Sequence, residues 1–204
     1  IIESLGSYRV GSDFFSFGNA YFDGGPESAA YRNYSYDGRY RSSVEALITE
    51  FSLEREFKIL EFGCAKGFIL AELWALGYAG ITGVDISQYA INNAHSSIRS
   101  RVFCAGLEFL GSSGKSFDFI FSKEVLPHLS EDEIAKFLGK LPDISTQRCS
   151  IYLEIQVAET PLQRDLIMQF DPTHRSLWPS SRWTEVLQNS PMTEKTTVYF
   201  KELC

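Results

Sequence analysis

Lys58-Ile-Leu-Glu-Phe-Gly-Cys-Ala-Lys-Gly-Phe-Ile-Leu70 reads as a buried strand that stops at an acidic residue and turns through glycines into a helix. Glu61, Gly63 and Gly67 set the spacing acidic-x-Gly-x-x-x-Gly. Glycine lets the backbone turn sharply and lets a ligand approach where a Cβ would collide, and the start of a helix brings N–H groups without helical partners. A nucleotide-like ligand fits such a corner. A second strand, Gly80-Ile-Thr-Gly-Val-Asp-Ile86, ends at Asp85, about the distance downstream at which α/β nucleotide binders place a ribose-binding carboxylate.

These residues resemble the S-adenosylmethionine site of class I, Rossmann-like methyltransferases, in particular the small-molecule branch (type 11/12-like). Phe117-Asp-Phe-Ile-Phe-Ser-Lys-Glu-Val-Leu-Pro-His-Leu129 is similar to that family's fourth-strand segment, where an Asp opens the strand and a Val-Leu-x-His-Leu turn follows. The resemblance covers roughly residues 57 to 141. It implies an α/β fold with a doubly wound, mostly parallel sheet, helices on both faces, and S-adenosylmethionine as cofactor. By the same resemblance, Asp85, with Ile86 beside it, would take the ribose hydroxyls. Glu61 would orient the glycine loop and the cofactor's methionine amine, and Gly63, Cys64, Ala65 and Gly67 would offer backbone. Ala65 stands where many relatives carry a second glycine. Many relatives place an adenine-binding Asp near Gly106. Here Leu107 could pack on the adenine, with Glu108 or a backbone carbonyl taking its amine.

The chain of 204 residues is 44% hydrophobic and 14% aromatic, enough for one domain with a full-sized core. A formal charge of −7 argues against a nonspecific polyanion binder, because phosphate contacts need clustered Lys and Arg; no nucleic-acid partner is expected. Cys64, Cys104, Cys149 and Cys204 lack paired metal spacing, and the first three fall in or beside apolar strands, where Cys behaves as a small hydrophobe. Reduced thiols imply the cytoplasm, and no metal is expected. No apolar run reaches membrane-spanning length and no charged-then-apolar leader opens the chain. The chain starts at Ile1 rather than Met, so upstream residues are open.

Residues 1 to 42 are rich in Gly, Ser and Tyr with little periodicity and read as a lid or wrap, with residues 43 to 204 as the cofactor-binding domain. A helix is expected from Ser43 through Phe51, capped by Ser42 or Ser43, and another over Phe68 to Leu76 ending at Gly77. Ser87 should cap a helix from Gln88 to Ser97. Strands are expected over Arg101 to Ala105, Phe117 to Ser122 and Ser150 to Gln156, with a capping-box helix from Ser130 to near Leu141. Residues 157 to 181 carry three prolines and read as a substrate loop. A helix capped by Ser180 or Ser181 and a strand over Thr196 to Glu202 close the chain. The family usually ends in an antiparallel strand pair, of which one member is legible.

Three histidines are available. His95 reads as surface or packing. His128, in the turn after the fourth strand, is either a turn residue or an active-site contact. His174 lies in Asp171-Pro-Thr-His-Arg175, similar to segments after strand five in relatives that methylate sugars or natural products, and is a candidate base or substrate ligand, the bland alternative being a loop histidine bonded to backbone. Arg175 could pair with an anionic substrate group. Ser122 is a candidate cofactor contact, and Lys123 and Glu124 candidate substrate contacts, where the methyl group should face its acceptor. Tyr31, Tyr34, Tyr36 and Tyr40 could close over the cofactor, Tyr31 and Tyr40 as direct contacts, or simply pack a wrap against the sheet. The favoured function is methyl transfer to oxygen or nitrogen of a small molecule, a sugar or natural-product intermediate, by a monomer or homodimer. The alternative is a catalytically silent relative serving as a cofactor-binding partner or regulatory subunit. A nicotinamide dehydrogenase is disfavoured because Gly-x-Gly-x-x-Gly is absent.

Overall fold

In the computed structural model, which describes residues 10–112, 114 and 116–203, six strands form one sheet. They are β1 (Ile59–Phe62), β2 (Ile81–Asp85), β3 (Val102–Cys104), β4 (Phe117–Lys123), β5 (Ser145–Gln156) and β6 (Thr196–Lys201), paired in the order β3-β2-β1-β4-β5-β6. Every neighbouring pair is parallel. The chain winds outward from β1 to β3 and returns to β4 on the other side of β1, so the winding reverses between β1 and β4. A crevice opens there, at the carboxyl ends of the strands.

Four consecutive buried residues in β1 mark a strand covered on both faces. Leu60, Phe62 and Ile120 point to a layer formed with α5 (Glu108–Ser112), α6 (Glu131–Ile144) and α8 (Ser180–Gln188), around the fully buried Trp183. Ile59, Phe119 and Phe121 face the opposite layer, built by α2 (Arg41–Glu50) and α3 (Phe68–Ala75). Asp118 pins the amino ends of three strands, accepting from the Lys58 amide at 2.9 Å, the Thr146 hydroxyl at 2.9 Å and Arg148 Nε at 2.9 Å.

Several expected boundaries move. The helix opened by Ser87, α4 (Gln88–Asn92), is short and gives way to a 3₁₀ turn over Ser96–Arg101; Asn93 ends it by donating its side-chain amide to the Tyr89 carbonyl, the local competition that makes Asn a poor helix interior. α2 begins at Arg41 with no side-chain cap, and Pro179, not a serine, precedes α8. α6 keeps its Ser130/Glu133 capping box but continues through Pro142 to Ile144, and β5 starts at once, ahead of the expected Ser150. Residues 157–181 are not a loop throughout: α7 (Pro161–Phe170) lies within them, opened by a Thr160/Gln163 capping box with Pro161 in the first turn, where a missing N–H costs nothing. With α8 it forms the crossover from β5 to β6. β6 runs parallel to β5, and no antiparallel closing pair occurs among the described residues. Cys104 is exposed on the edge strand, whereas Cys64 and Cys149 are buried; all three are free. Cys204 lies outside the described residues. No helix among them is long and apolar enough to cross a membrane.

The amino-terminal segment, including α1 (Asn19–Phe22), packs Phe14, Tyr21, Phe22 and Tyr34 against Phe68 of α3 and Ala90 of α4. Lys66, in the glycine turn and nearly buried, donates to Asp23 Oδ2 at 2.5 Å and to the Tyr34 carbonyl at 2.8 Å. Tyr89 donates to the same Asp23 oxygen at 2.7 Å, and Ser87 to the Phe17 carbonyl at 2.5 Å. Severing one partner of a buried ion pair costs about 3–5 kcal/mol, so Lys66→Met is expected to detach the segment while the sheet stays folded. Limited proteolysis should then cleave between residues 10 and 40 at a strongly increased rate with little change in the main melting transition; equal protection of variant and wild type would refute this anchoring role.

Candidate active site

The glycine turn is shaped by three positive-φ residues, Gly63 (81°), Ala65 (48°) and Gly67 (71°). A Cβ on Gly63 would lie 2.1 Å from Val125 Cγ2, and one on Gly67 2.6 Å from Ile98 Cδ1, so both positions need glycine for conformation and for space. Four of the turn's amides are consumed internally. Gly63 N and Cys64 N donate to the Val84 carbonyl at 2.8 and 2.9 Å, Gly67 N to the Cys64 carbonyl at 2.7 Å, and Ala65 N to Asp85 Oδ2 at 2.7 Å. Gly63, Cys64, Ala65 and Gly67 thus spend their own amides within the turn, which leaves their carbonyls and contour as the backbone they offer.

Asp85 also accepts from Ser87 N at 2.8 Å, leaving lone pairs on both oxygens for ligand hydroxyls. Glu61 is 3% exposed, and its Oε2 has no hydrogen-bond partner among the described residues. Burial, and secondarily the Asp85 charge, raise the Glu61 carboxyl well above the usual range. Burial raises Asp85 as well, against the pull of its two backbone donors. An orphaned carboxylate oxygen beside a second carboxylate is a place prepared for a positive group.

A cavity of about 570 Å³ opens over these strand ends. Of the candidate residues, Gly63, Ala65, Asp85, Ile86, Leu107, Glu108, Tyr31, Lys123, Glu124, His128 and Arg175 line it. Glu61, Cys64, Gly67, Ser122, Tyr40 and His174 do not. Ser122 is fully buried and donates to the Phe62 carbonyl at 2.9 Å; the Cys64 thiol packs beneath the turn beside Gly83. Tyr40 packs on the α2 side of the sheet, Tyr34 stacks near Phe68 with centroids 4.7 Å apart, and Tyr36 donates to Glu72 at 2.5 Å. Only Tyr31 of the four tyrosines reaches the cavity. His95 contacts Ser97 and the Tyr36 ring. Glu108 opens α5 and accepts from Gly106 N at 2.7 Å. Sequence reading missed Phe15, Phe17, Tyr21 and Phe22, which form an aromatic wall of the cavity, and Thr173; the aromatic density of residues 14–22 was the available signal.

Basic side chains at the cavity are already paired. Lys123 donates to Glu124 at 2.9 Å and Glu154 at 2.7 Å, Lys201 also reaches Glu124, and Arg175 donates to Glu133 at 2.7 Å. Glu124 sits at φ 56°, a backbone position costly for a non-glycine residue and frequent at functional sites. Burial opposes its charge, but Lys123 and Lys201 outweigh it and hold its carboxyl well below the ordinary range. His128 and His174 stack at 4.3 Å between ring centroids. Burial, then the neighbouring His174, push His128 down from its ordinary value, so it is neutral at neutral pH.

Comparison with known proteins adds to this geometry. Residues 59–145 match the family described as "Methyltransferase domain", which spans β1 to the start of β5. Over these residues, which are less than half of the chain, it is similar to S-adenosylmethionine-dependent methyltransferases. It is 30% identical over 138 residues to the tRNA U34 carboxymethyltransferase of Wolinella succinogenes, covering 61% of this chain and 49% of that protein. It is 28% identical over 133 residues to the O-antigen chain terminator bifunctional methyltransferase/kinase WbdD of Escherichia coli, covering 59% of this chain and 18% of that one. The chain thus spans about half the length of the first relative and far less of the second. In fold it is similar to a SAM-dependent methyltransferase from Archaeoglobus fulgidus, with a TM-score of 0.57, 21% identity and coverage of 72% of this chain and 67% of that one. It is also similar to the plantazolicin methyltransferase BpumL, with a TM-score of 0.55, 18% identity and coverage of 74% and 61%.

S-adenosylmethionine, the cofactor of such domains, suits these residues: Glu61 brings a buried carboxylate oxygen without a partner among the described residues for its positive end, and Asp85 a carboxylate with spare acceptor capacity. If Glu61 meets the cationic end, the ligand selects the ionised carboxylate and binding expels the proton that the raised pKa retains. Affinity for S-adenosylhomocysteine should fall as pH drops through that raised value, and Glu61→Gln should flatten the dependence while weakening binding at least about tenfold. The folded pKa lies above the unfolded one, so the ionised residue destabilises the ligand-free fold as pH rises; Glu61→Gln should melt higher than wild type at alkaline pH. Calorimetry in buffers of different ionisation enthalpy, with melting curves across pH, checks both signs.

Proposed function

We propose that this chain transfers a methyl group from S-adenosylmethionine to an oxygen or nitrogen of a small molecule, a neutral hydroxyl acceptor such as a sugar or natural-product intermediate being favoured, and that it works as a monomer or homodimer in the cytoplasm. The observation that carries this reading is one cavity lined by Gly63, Asp85 and His128 together. The bound cofactor supplies a methyl group on a sulfonium, so the acceptor gains the methyl as the C–S bond breaks and sulfur keeps the electron pair. Alignment and removal of the acceptor's proton remain for the protein. His128, neutral and on the cavity wall, is the candidate base; His174, off the wall, is its neighbour.

The acceptor class follows from pairing and surface. Lys123 and Arg175 spend their charge on Glu124, Glu154 and Glu133, which leaves little attraction for an anionic acceptor. Phe15, 64% exposed, and Phe17 offer aromatic faces at the cavity, surfaces on which the C–H face of a sugar ring packs. The O-antigen relative favours a saccharide. The tRNA relative is the basis of a second reading, a tRNA acceptor, against which the net charge of −7 weighs.

Calorimetric titration with S-adenosylhomocysteine tests the cofactor half. Asp85→Ala removes an acceptor for ligand hydroxyls and should cost about 100-fold or more, the worth of one to two hydrogen bonds to a charged group. Transfer of a radiolabelled methyl group to a panel of methyl glycosides, with unmodified tRNA alongside, tests the acceptor half. Labelling of tRNA alone would replace the small-molecule reading, and a folded wild type that binds no S-adenosylhomocysteine would sink the enzyme.

A further inference from the structure

The loop after α7 carries a hydrogen-bond chain that ends on His128. Asp171 is 6% exposed, and its carboxylate collects three donors: the Thr173 amide at 3.0 Å and the Thr173 hydroxyl at 2.5 Å on Oδ1, and the Tyr21 hydroxyl at 2.7 Å on Oδ2. Thr173 Oγ1 lies 2.9 Å from His128 Nδ1. The direction of each bond follows from chemistry. A carboxylate only accepts, so the Thr173 hydroxyl has spent its one proton on Asp171 and has only lone pairs to offer His128. In that contact Nδ1 of His128 is the donor, which in a neutral ring leaves Nε2 unprotonated.

We propose that Asp171, acting through the Thr173 hydroxyl, is a positioning residue that holds His128 in the Nδ1–H tautomer and so makes Nε2 the atom that accepts the substrate's proton. The proposal rests on the methyl-transfer reading above. When Nε2 takes the acceptor's proton, the imidazolium keeps its Nδ1–H bond to Thr173, and the Asp171 charge behind it opposes the two effects that burial and His174 exert. The other charged group facing the ring is Glu124. The proton stays on His128; Asp171 and Thr173 gain and lose none.

Tyr21 extends the relay to the amino-terminal segment. Its ring is packed among Phe14, Phe17 and Phe22, Phe17 meets the His128 ring edge-on at 5.9 Å, and the Ala30 amide donates to the Phe170 carbonyl at 2.9 Å, one residue before Asp171. Seating of the segment and orientation of the base thus share one carboxylate.

Long-range ¹⁵N–¹H NMR of histidine-labelled, ligand-free protein at neutral pH reads the tautomer directly and needs neither cofactor nor acceptor. Wild-type His128 should show Nδ1–H over Nε2–H by at least about ten to one, the ratio enforced by one hydrogen bond to a charge-linked acceptor. Thr173→Val should abolish that preference and Thr173→Ser should restore it. A wild type in the Nε2–H form, or a Thr173→Val variant that keeps Nδ1–H, overturns the relay. His128, Asp171 and His174 also bring ligand atoms within 4.8 Å of one another; submicromolar Zn²⁺ binding that shifts both histidines would overturn the relay in favour of a metal centre. Loss of S-adenosylhomocysteine binding in wild type would instead refute the methyltransferase reading, leaving the tautomer result to stand or fall by itself.

Discussion

A buried carboxylate oxygen without a donor among the described residues is the constraint around which this molecule is arranged. Glu61 is the penultimate residue of a strand whose every residue is buried, and Asp85 ends the next. Two negative groups close together in a medium that penalises charge would be removed from a fold selected for stability alone. The sheet keeps them because the winding reversal between β1 and β4 opens the crevice there, and because a positive ligand offsets the cost. The glycine turn obeys the same logic. The amides of Gly63, Cys64, Ala65 and Gly67 are spent on Val84, Cys64 and Asp85.

Charge at the rest of the cavity is organised in the opposite way. The carboxyl ends of β4, β5 and β6 are tied by Lys123, Glu124, Glu154 and Lys201, and Arg175 is tied to Glu133 across the loop after α7. These pairs neutralise one another and hold the outer strands at the cavity's rim, including β6, the edge strand with only one neighbour. The site therefore divides into a half with unbalanced negative charge and a half with balanced charge and aromatic walls. A cationic donor and a neutral acceptor match that division.

The first half was legible in the sequence because its physics is local. Glycine at 63 and 67 is demanded by φ values and by Val125 and Ile98, and strand-end carboxylates follow directly on apolar runs. The second half was not. α7 was hidden by Pro161, which reads as a breaker unless its place in a first turn is known. The first residues of β5, Ser145 to Arg148, are polar and become a strand only because α6 delivers them beside β4 and because Asp118 gathers Thr146 and Arg148. The choice between His128 and His174 depended on where the loop after α7 returns, which no local pattern encodes. The sequence also suggested four tyrosines over the cofactor, whereas the side chains that reach the cavity from the first segment are chiefly the phenylalanines around Tyr21.

One link joins the two halves. Lys66, inside the glycine turn, holds Asp23, and two residues earlier in that segment Tyr21 holds Asp171. A displacement of the glycine turn would thus be felt at Asp23 first and at the His128 relay next, through packed aromatic rings rather than through a flexible linker. Cores of this density respond in discrete steps, so seating of the segment, filling of the negative half and orientation of His128 belong to one cooperative arrangement, in which the base is fully oriented only when the segment that carries Tyr21 is in place.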